Sequence, residues 1–453
     1  MEAATKESRP LFTNQQLCAL IVPLLIEQLL AVAVGMADTM MVSQAGEAAV
    51  SGVSLVDMIN NLIIYLFSAL ATGGAVVTSQ FIGARRIREA GDSAGQLVLL
   101  SLLSGLGILA FCLLCGRPVM RLFFGSITED VMEAGLLYLR ITAVSYPFLA
   151  LYNAGAALFR SVGNSGISMR VSIVMNLINI VGNAIGVLVL HLGVAGVALP
   201  TLISRAVAAF LILRAAEHGA GPVQLHLRGL RLRGHMVRRI LEIGVPSAVE
   251  NGLFQLGRLL VVSIIATFGT AQIAANAVAN NLDGMAILGG QALGLATITV
   301  VGQCVGAGDY AQARRYNRKL MIISWLLIAA SAAAILTSLP LLLNLYNISD
   351  EARVLSAQLV RLHNIPAVAL WCLSFTLPNT LRAAGDARFT MVVSIASMAV
   401  FRIGFSVVLG IWMGMGAIGV WIAMDIDWVC RVICFVARYF SGAWTRKYQN
   451  YQA

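Results

Sequence analysis

Charge is what this sequence has least of. Only 11% of its 453 residues are Asp, Glu, Lys or Arg, and 59% are hydrophobic, whereas soluble chains carry about 25% charged residues. A soluble multidomain protein is thereby excluded, and the chain reads as a polytopic membrane protein. Cysteine is also scarce. The seven cysteines lie mostly within apolar segments, so no disulfide framework is indicated. Cys112 and Cys115 form a CxxC without a basic neighbour or a second ligand pair, and read as inert. Among the 42 glycines there is no P-loop, and HExxH is absent. With no metal-ligand or nucleophile constellation either, an enzyme, a bound cofactor and ATP hydrolysis by this chain are not expected. The formal net charge is +10. In a soluble protein that would suggest nucleic acid, but in a membrane protein basic residues gather in cytoplasmic loops, so no nucleic-acid partner is expected.

What the sequence has in abundance is long apolar runs. Twelve segments match or approach the ~20 residues that cross a bilayer, at about 15–42, 50–76, 93–116, 133–159, 168–190, 194–214, 238–267, 272–301, 319–340, 354–381, 391–413 and 416–440. The first is too long for a cleavable signal peptide. The basic residues set the orientation. With Lys6 and Arg9 inside, the even-numbered connections, including Arg85, Arg86, Arg88, Arg231, Arg233, Arg314, Arg315 and Arg388, fall inside as well. Both termini are therefore expected in the cytoplasm of a cell-membrane protein.

The chain repeats itself. A shift of 223 residues places Pro23 on Pro246, Glu27 on Glu250, Gly46 on Gly269, and QFIGA (80–84) on QCVGA (303–307). LFRSVG (158–163) likewise matches TLRAAG (380–385), and GVAGV (193–197) matches GAIGV (416–420). The expected fold is all-α, with twelve transmembrane helices in two pseudo-symmetric six-helix lobes. Because six is even, the copies share one orientation and enclose a central cleft about an axis along the membrane normal. The lobes are expected at 1–218 and 237–453, joined by a cytoplasmic linker at 219–236.

Polar residues inside the spans carry the function. At ~1.5 Å of rise per residue, Asp38, Asn183 and Thr201 lie about 12 Å below the outer helix ends, and Asn179 about 18 Å. Asn179 and Asn183, four apart, face the same way. These hard oxygen donors suit a desolvated Na⁺, or a proton on Asp38 oriented by the amides. The competing reading is plain hydrogen bonding between helices. Asp57 is placed to add negative potential to the same lobe and attract a cationic substrate. Glu27 and Glu250 are either cavity residues or plain interfacial carboxylates. Arg258 and Asp283, at similar depth on adjacent helices, are expected to neutralise each other, because a lone charge there is costly.

GMADTMMVS (35–43), NIVGN (179–183), GVAGVALPT (193–201) and the QFIGA and LRAAGD junctions resemble the MATE family of multidrug and toxic-compound extruders, over essentially the whole chain. The resemblance implies an antiporter that exports cationic or amphipathic organic compounds, in exchange for Na⁺ or H⁺, and that is expected to act as a monomer in the lipid bilayer. It also implies that Asp38, Asn179, Asn183 and Thr201 form the cation-coupling site. The second lobe departs from the family pattern. Phe254 and Trp371 stand where some members carry Glu and Asp. The alternative function is a flippase of lipid-linked oligosaccharide precursors, whose anionic cargo would favour a cavity supplied with Arg205, Arg402 and Arg431.

Overall fold

The computed structural model describes residues 10–42, 47–125, 128–219, 221, 223–225, 231–346 and 348–449. Lys6, Arg9, Gly46 and part of the expected linker lie outside the described residues. Among the described residues every element is a helix, as a backbone in lipid must satisfy its own hydrogen bonds. The first half comprises α1 (Asn14–Val42), α2 (Glu47–Gly83), α3 (Ile87–Phe124), α4 (Glu129–Val144), α5 (Tyr146–Ser161), α6 (Ser165–Ala184) and α7 (Ala195–Glu217). The second comprises α8 (Gly234–Ala266), α9 (Thr270–Ala286), α10 (Leu288–Gly306), α11 (Tyr310–Asn344), α12 (Asp350–Trp371), α13 (Leu377–Ala383), α14 (Ala387–Ser397), α15 (Gly416–Phe440) and the short α16 (Ala443–Gln449). Wider π turns extend α6 over Ile185–Val189 and α14 over Met398–Gly404 and Ser406–Trp412, and another joins α12 to α13 over Cys372–Thr376.

Each expected apolar segment corresponds to a helix or a broken pair. Among the described residues, ten helices are long and apolar enough to span, or eleven when α4 and α5, bent by 45°, are taken as one. The twelfth segment is α15, whose Asp425, Asp427 and Arg431 make it too charged to pass on composition alone. Two breaks were not foreseen. The bend between α4 and α5 places Pro147 in the first turn of α5, where its missing N–H costs nothing. The segment at 272–301 is interrupted at Ile287, just before Gly289 and Gly290. Both glycines press against neighbours, Gly290 so closely that a Cβ would stand 2.1 Å from the Trp371 ring.

The halves are sealed together at the end where the arginines collect. The two repeat motifs form that seal. A Cβ on Gly83 would lie 1.9 Å from the Gln303 carbonyl oxygen, and one on Gly306 would lie 2.0 Å from that of Gln80. The glutamines bond crosswise. Gln80 donates to the Ala383 carbonyl at 2.8 Å, and Gln303 donates to the Ser161 carbonyl at 2.7 Å. Gly73 closes the same seam against Ile240 and Gly244. Beyond the seal lies a cavity of about 490 Å³. Helix α1 belongs to both halves: Leu17, Leu20, Ile21 and Leu24 are buried in the apolar core of the second half, while Asp38, further along, faces α6 of the first.

Candidate functional site

Asp38, Asn179, Asn183 and Thr201 come together as one hydrogen-bonded chain across α1, α6 and α7. Asn183 donates its amide to Asp38 Oδ1 at 2.8 Å and lies 3.4 Å from Asn179 Oδ1. Asn179 in turn donates to Thr201 Oγ1 at 3.0 Å, and the Thr201 hydroxyl donates to the Val197 carbonyl. The four-residue spacing on α6 produces this alignment, because it stacks both amides on one helix face. One acceptor is left over. Asn183 Oδ1 is buried and has no hydrogen-bond partner, an arrangement that is unfavourable unless something supplies positive charge or a proton. Gly182, beside it, lets α6 approach Pro200 of α7 so closely that a Cβ would stand 2.6 Å from the proline ring. That contact brings Thr201 within reach.

A second polar group adjoins this chain. Asp57 accepts from Asn60 at 3.0 Å and from the Tyr138 hydroxyl at 3.2 Å, and Tyr146 donates to Asn60 at 2.6 Å. Arg205, one helical turn beyond Thr201, donates to Ser145 at the α4–α5 bend, and its charge reaches both Asp38 and Asp57. The alternative flippase reading offered Arg205 as a cavity residue. Here it does not line the cavity and, among the described residues, bonds to Ser145 rather than pairing with either carboxylate; its four-residue spacing from Thr201 was the available signal.

The second half is arranged differently. The expected pair of Arg258 and Asp283 is not formed. Asp283 instead lies 3.4 Å from His363 Nε2, whose ring is held on its other side by Asp425 at 2.7 Å. Arg258 is exposed on the cavity wall, so the pairing argument for a buried ion does not apply. His363 packs between Trp421 and Trp428, with ring centroids 5.0 and 4.6 Å away. Sequence reading missed both His363 and Asp425, although each is an ionisable residue within an apolar segment.

Of the expected cavity residues, Glu250, Arg258 and Asp283 line the cavity, but Asp57 and Glu27 do not. Asp57 is held inside the first half by the hydrogen bonds above. Glu27 is turned to α6, where Ser168 donates to it at 2.6 Å. Glu250, its repeat counterpart, pairs with Arg382 at 2.7 Å and accepts from Ser394. Phe254 and Trp371, the departures from the family pattern, are also on the cavity wall, and Trp371 stacks on Phe375 at 5.2 Å. No group of three or more His, Cys, Asp or Glu side chains suited to a metal occurs among the described residues.

A twofold-repeated helical bundle with one polar cluster in the first half and a cavity between the halves defines a membrane transporter of the two-lobe kind. The MatE profile matches the chain twice, at 23–185 and 246–408, an offset equal to the internal repeat, and the chain belongs to the MatE family. An uncharacterised transporter of Bacillus subtilis, YisQ, is 29% identical, covering 98% of both chains. A probable multidrug resistance protein NorM of Thermotoga maritima is 23% identical, covering 96% of this chain and 94% of its own. In fold, the chain is similar to an outward-facing multidrug resistance MATE family transporter of the MOP superfamily, with a TM-score of 0.89 and 21% identity over 95% and 96% of the two chains. The chain is a transporter, not an enzyme, and its architecture is that of two helical lobes.

Proposed function

We propose that this protein is a secondary antiporter that exports amphipathic organic compounds, coupled to inward Na⁺ or H⁺ at Asp38, Asn179, Asn183 and Thr201. The observation that carries the reading is the buried, unpartnered Asn183 Oδ1 next to the Asp38 carboxylate. A carboxylate at membrane depth is costly, and a cation or proton that neutralises it during part of the cycle removes that cost. The free oxygen of Asp38 and Asn183 Oδ1 are the acceptors open to either ion. The lobes run from 1 to 218 and from 237 to 453, with both termini in the cytoplasm and the arginine-rich seal on that side of the cell membrane. The cavity then opens outward, and a single chain suffices for transport.

Export of mostly cationic compounds, the expectation from sequence, rested on Asp38 and Asp57 sharing the outer half of the first lobe and on its arginines lying mainly at the cytoplasmic edge; of these, Asp57 does not line the cavity. Reconstitution in proteoliposomes with Na⁺ and H⁺ gradients imposed separately tests the proposal. One gradient should drive uptake of a fluorescent substrate, and Asp38→Asn should abolish it. Equal transport by the variant would place coupling elsewhere.

A further inference from the structure

The cavity wall carries more arginines than carboxylates. Its arginines are Arg258, Arg382, Arg402 and Arg431, against the carboxylates Glu250 and Asp283. Arg382 is matched by Glu250, and Arg431 by Asp427 at 3.0 Å. Asp283 and Asp425 flank His363. Among the described residues, Arg258 and Arg402 form no ion pair with a carboxylate.

Arg402 is the more telling of the two. It is only 7% exposed, its Nε has no hydrogen-bond partner, and one amino group meets the Met424 sulfur at 2.9 Å. It sits within the widened π turn Met398–Gly404, a feature often found at functional sites. A buried guanidinium with an unfilled donor is unfavourable until an acceptor completes it. The surrounding wall includes several aromatic rings. The guanidinium groups of Arg402 and Arg431 lie 5.5 and 5.2 Å from the Phe254 ring centre. Phe375 meets Trp371 face-on and Trp428 edge-on, the latter at 5.5 Å. A planar guanidinium fork fits the two oxygens of a carboxylate or sulfonate, and aromatic faces take a flat ring.

We infer that this wall is a subsite for aromatic organic anions, with the anionic group on Arg402 and Arg258 and the ring against Phe375 and Trp371. The inference rests on reading the cleft as the substrate pocket. About 490 Å³ suits a drug-sized molecule rather than a lipid-linked oligosaccharide, since such ligands occupy about 300–1,000 Å³.

Binding to the purified full-length protein, followed by quenching of tryptophan fluorescence, separates this inference from the antiport reading because it needs no gradient. The probes are 2-naphthoate and 2-naphthylmethylammonium, matched in size. Naphthoate should bind at least tenfold more tightly. Arg258→Gln, at an exposed position, should weaken naphthoate about tenfold and leave the ammonium probe unchanged. Arg402→Gln should weaken it further, and Asp283→Asn should strengthen it severalfold. Equal or tighter binding of the ammonium probe would overturn the subsite, as would wild-type naphthoate affinity in a well-folded Arg258→Gln protein. Binding of a polyprenyl diphosphate with none of naphthoate would overturn it in favour of a lipid cargo. Loss of gradient-driven transport with naphthoate binding intact would count against the antiport reading alone.

Discussion

Replacing the Asp38 carboxylate by the amide of Asn preserves its shape and much of its hydrogen bonding with Asn183. The Asp38→Asn protein should therefore reach the membrane at normal levels while gradient-driven efflux falls to background, as a transport assay beside an expression blot would show. Asn179→Ala and Thr201→Ala each remove one neutral group worth about 1 kcal/mol, so ion dependence should weaken severalfold rather than vanish. Stability follows a different pair. Glu250 and Arg382 have side chains 8% and 14% exposed, and breaking such a pair typically costs about 3–5 kcal/mol. Arg382→Met should lower the melting temperature in detergent markedly, and adding Glu250→Gln should restore most of it. Arg258→Ala, with no ion partner among the described residues, should change stability by about 0.5 kcal/mol or less. The first-half cluster was legible in the sequence because Asn179 and Asn183 share a helix face and lie level with Asp38. The charge pairings of the second half were not, because His363 meets Asp283 and Asp425 across helices far apart in sequence. Hydropathy places such helices in the membrane but does not say which faces meet.

At the scale of elements, apolar runs located the spans well and their interruptions poorly. The 45° bend between α4 and α5 and the break at Ile287 leave composition almost unchanged; they depend on Pro147 and on the Gly289–Gly290 pair. Helix α15 shows the reverse case. Its charges lower its hydropathy, yet Asp427 and Arg431 are 0% and 2% exposed, because they pair with each other inside the bundle. The glycines of α2 and α10 set how closely the halves approach. Gly306→Ala directs a methyl group at the Gln80 backbone, which cannot move aside as a flexible side chain would. Such overpacking typically costs about 1–3 kcal/mol, and it should be relieved by parting the halves at the arginine-rich end. Cys304, 0% exposed beside this seam, then becomes a reporter. In a background without the other cysteines, Gly306→Ala should make Cys304 reactive to a maleimide added from that side. Continued protection of Cys304 would show that the seam yields elsewhere.

The molecule as a whole is two copies of one plan whose contents have diverged. The first half keeps a compact polar chain around Asp38, and the second has placed arginines and aromatic rings on the cavity wall. The seam is still written alike in both. Gln80 of the first half holds the backbone of the second at Ala383, and Gln303 of the second holds that of the first at Ser161. Each half thus offers the same donor and the same acceptor to its counterpart, which makes the surface self-complementary. A surface of that kind does not need its two bearers to share a chain. A strand break in the polar stretch at 219–236 should therefore be tolerated, and residues 1–218 and 219–453 made as separate polypeptides in one cell should find each other and co-purify. The same surface would let two copies of a single six-helix ancestor meet as equals before their genes were joined, leaving each free afterwards to specialise in ion or cargo.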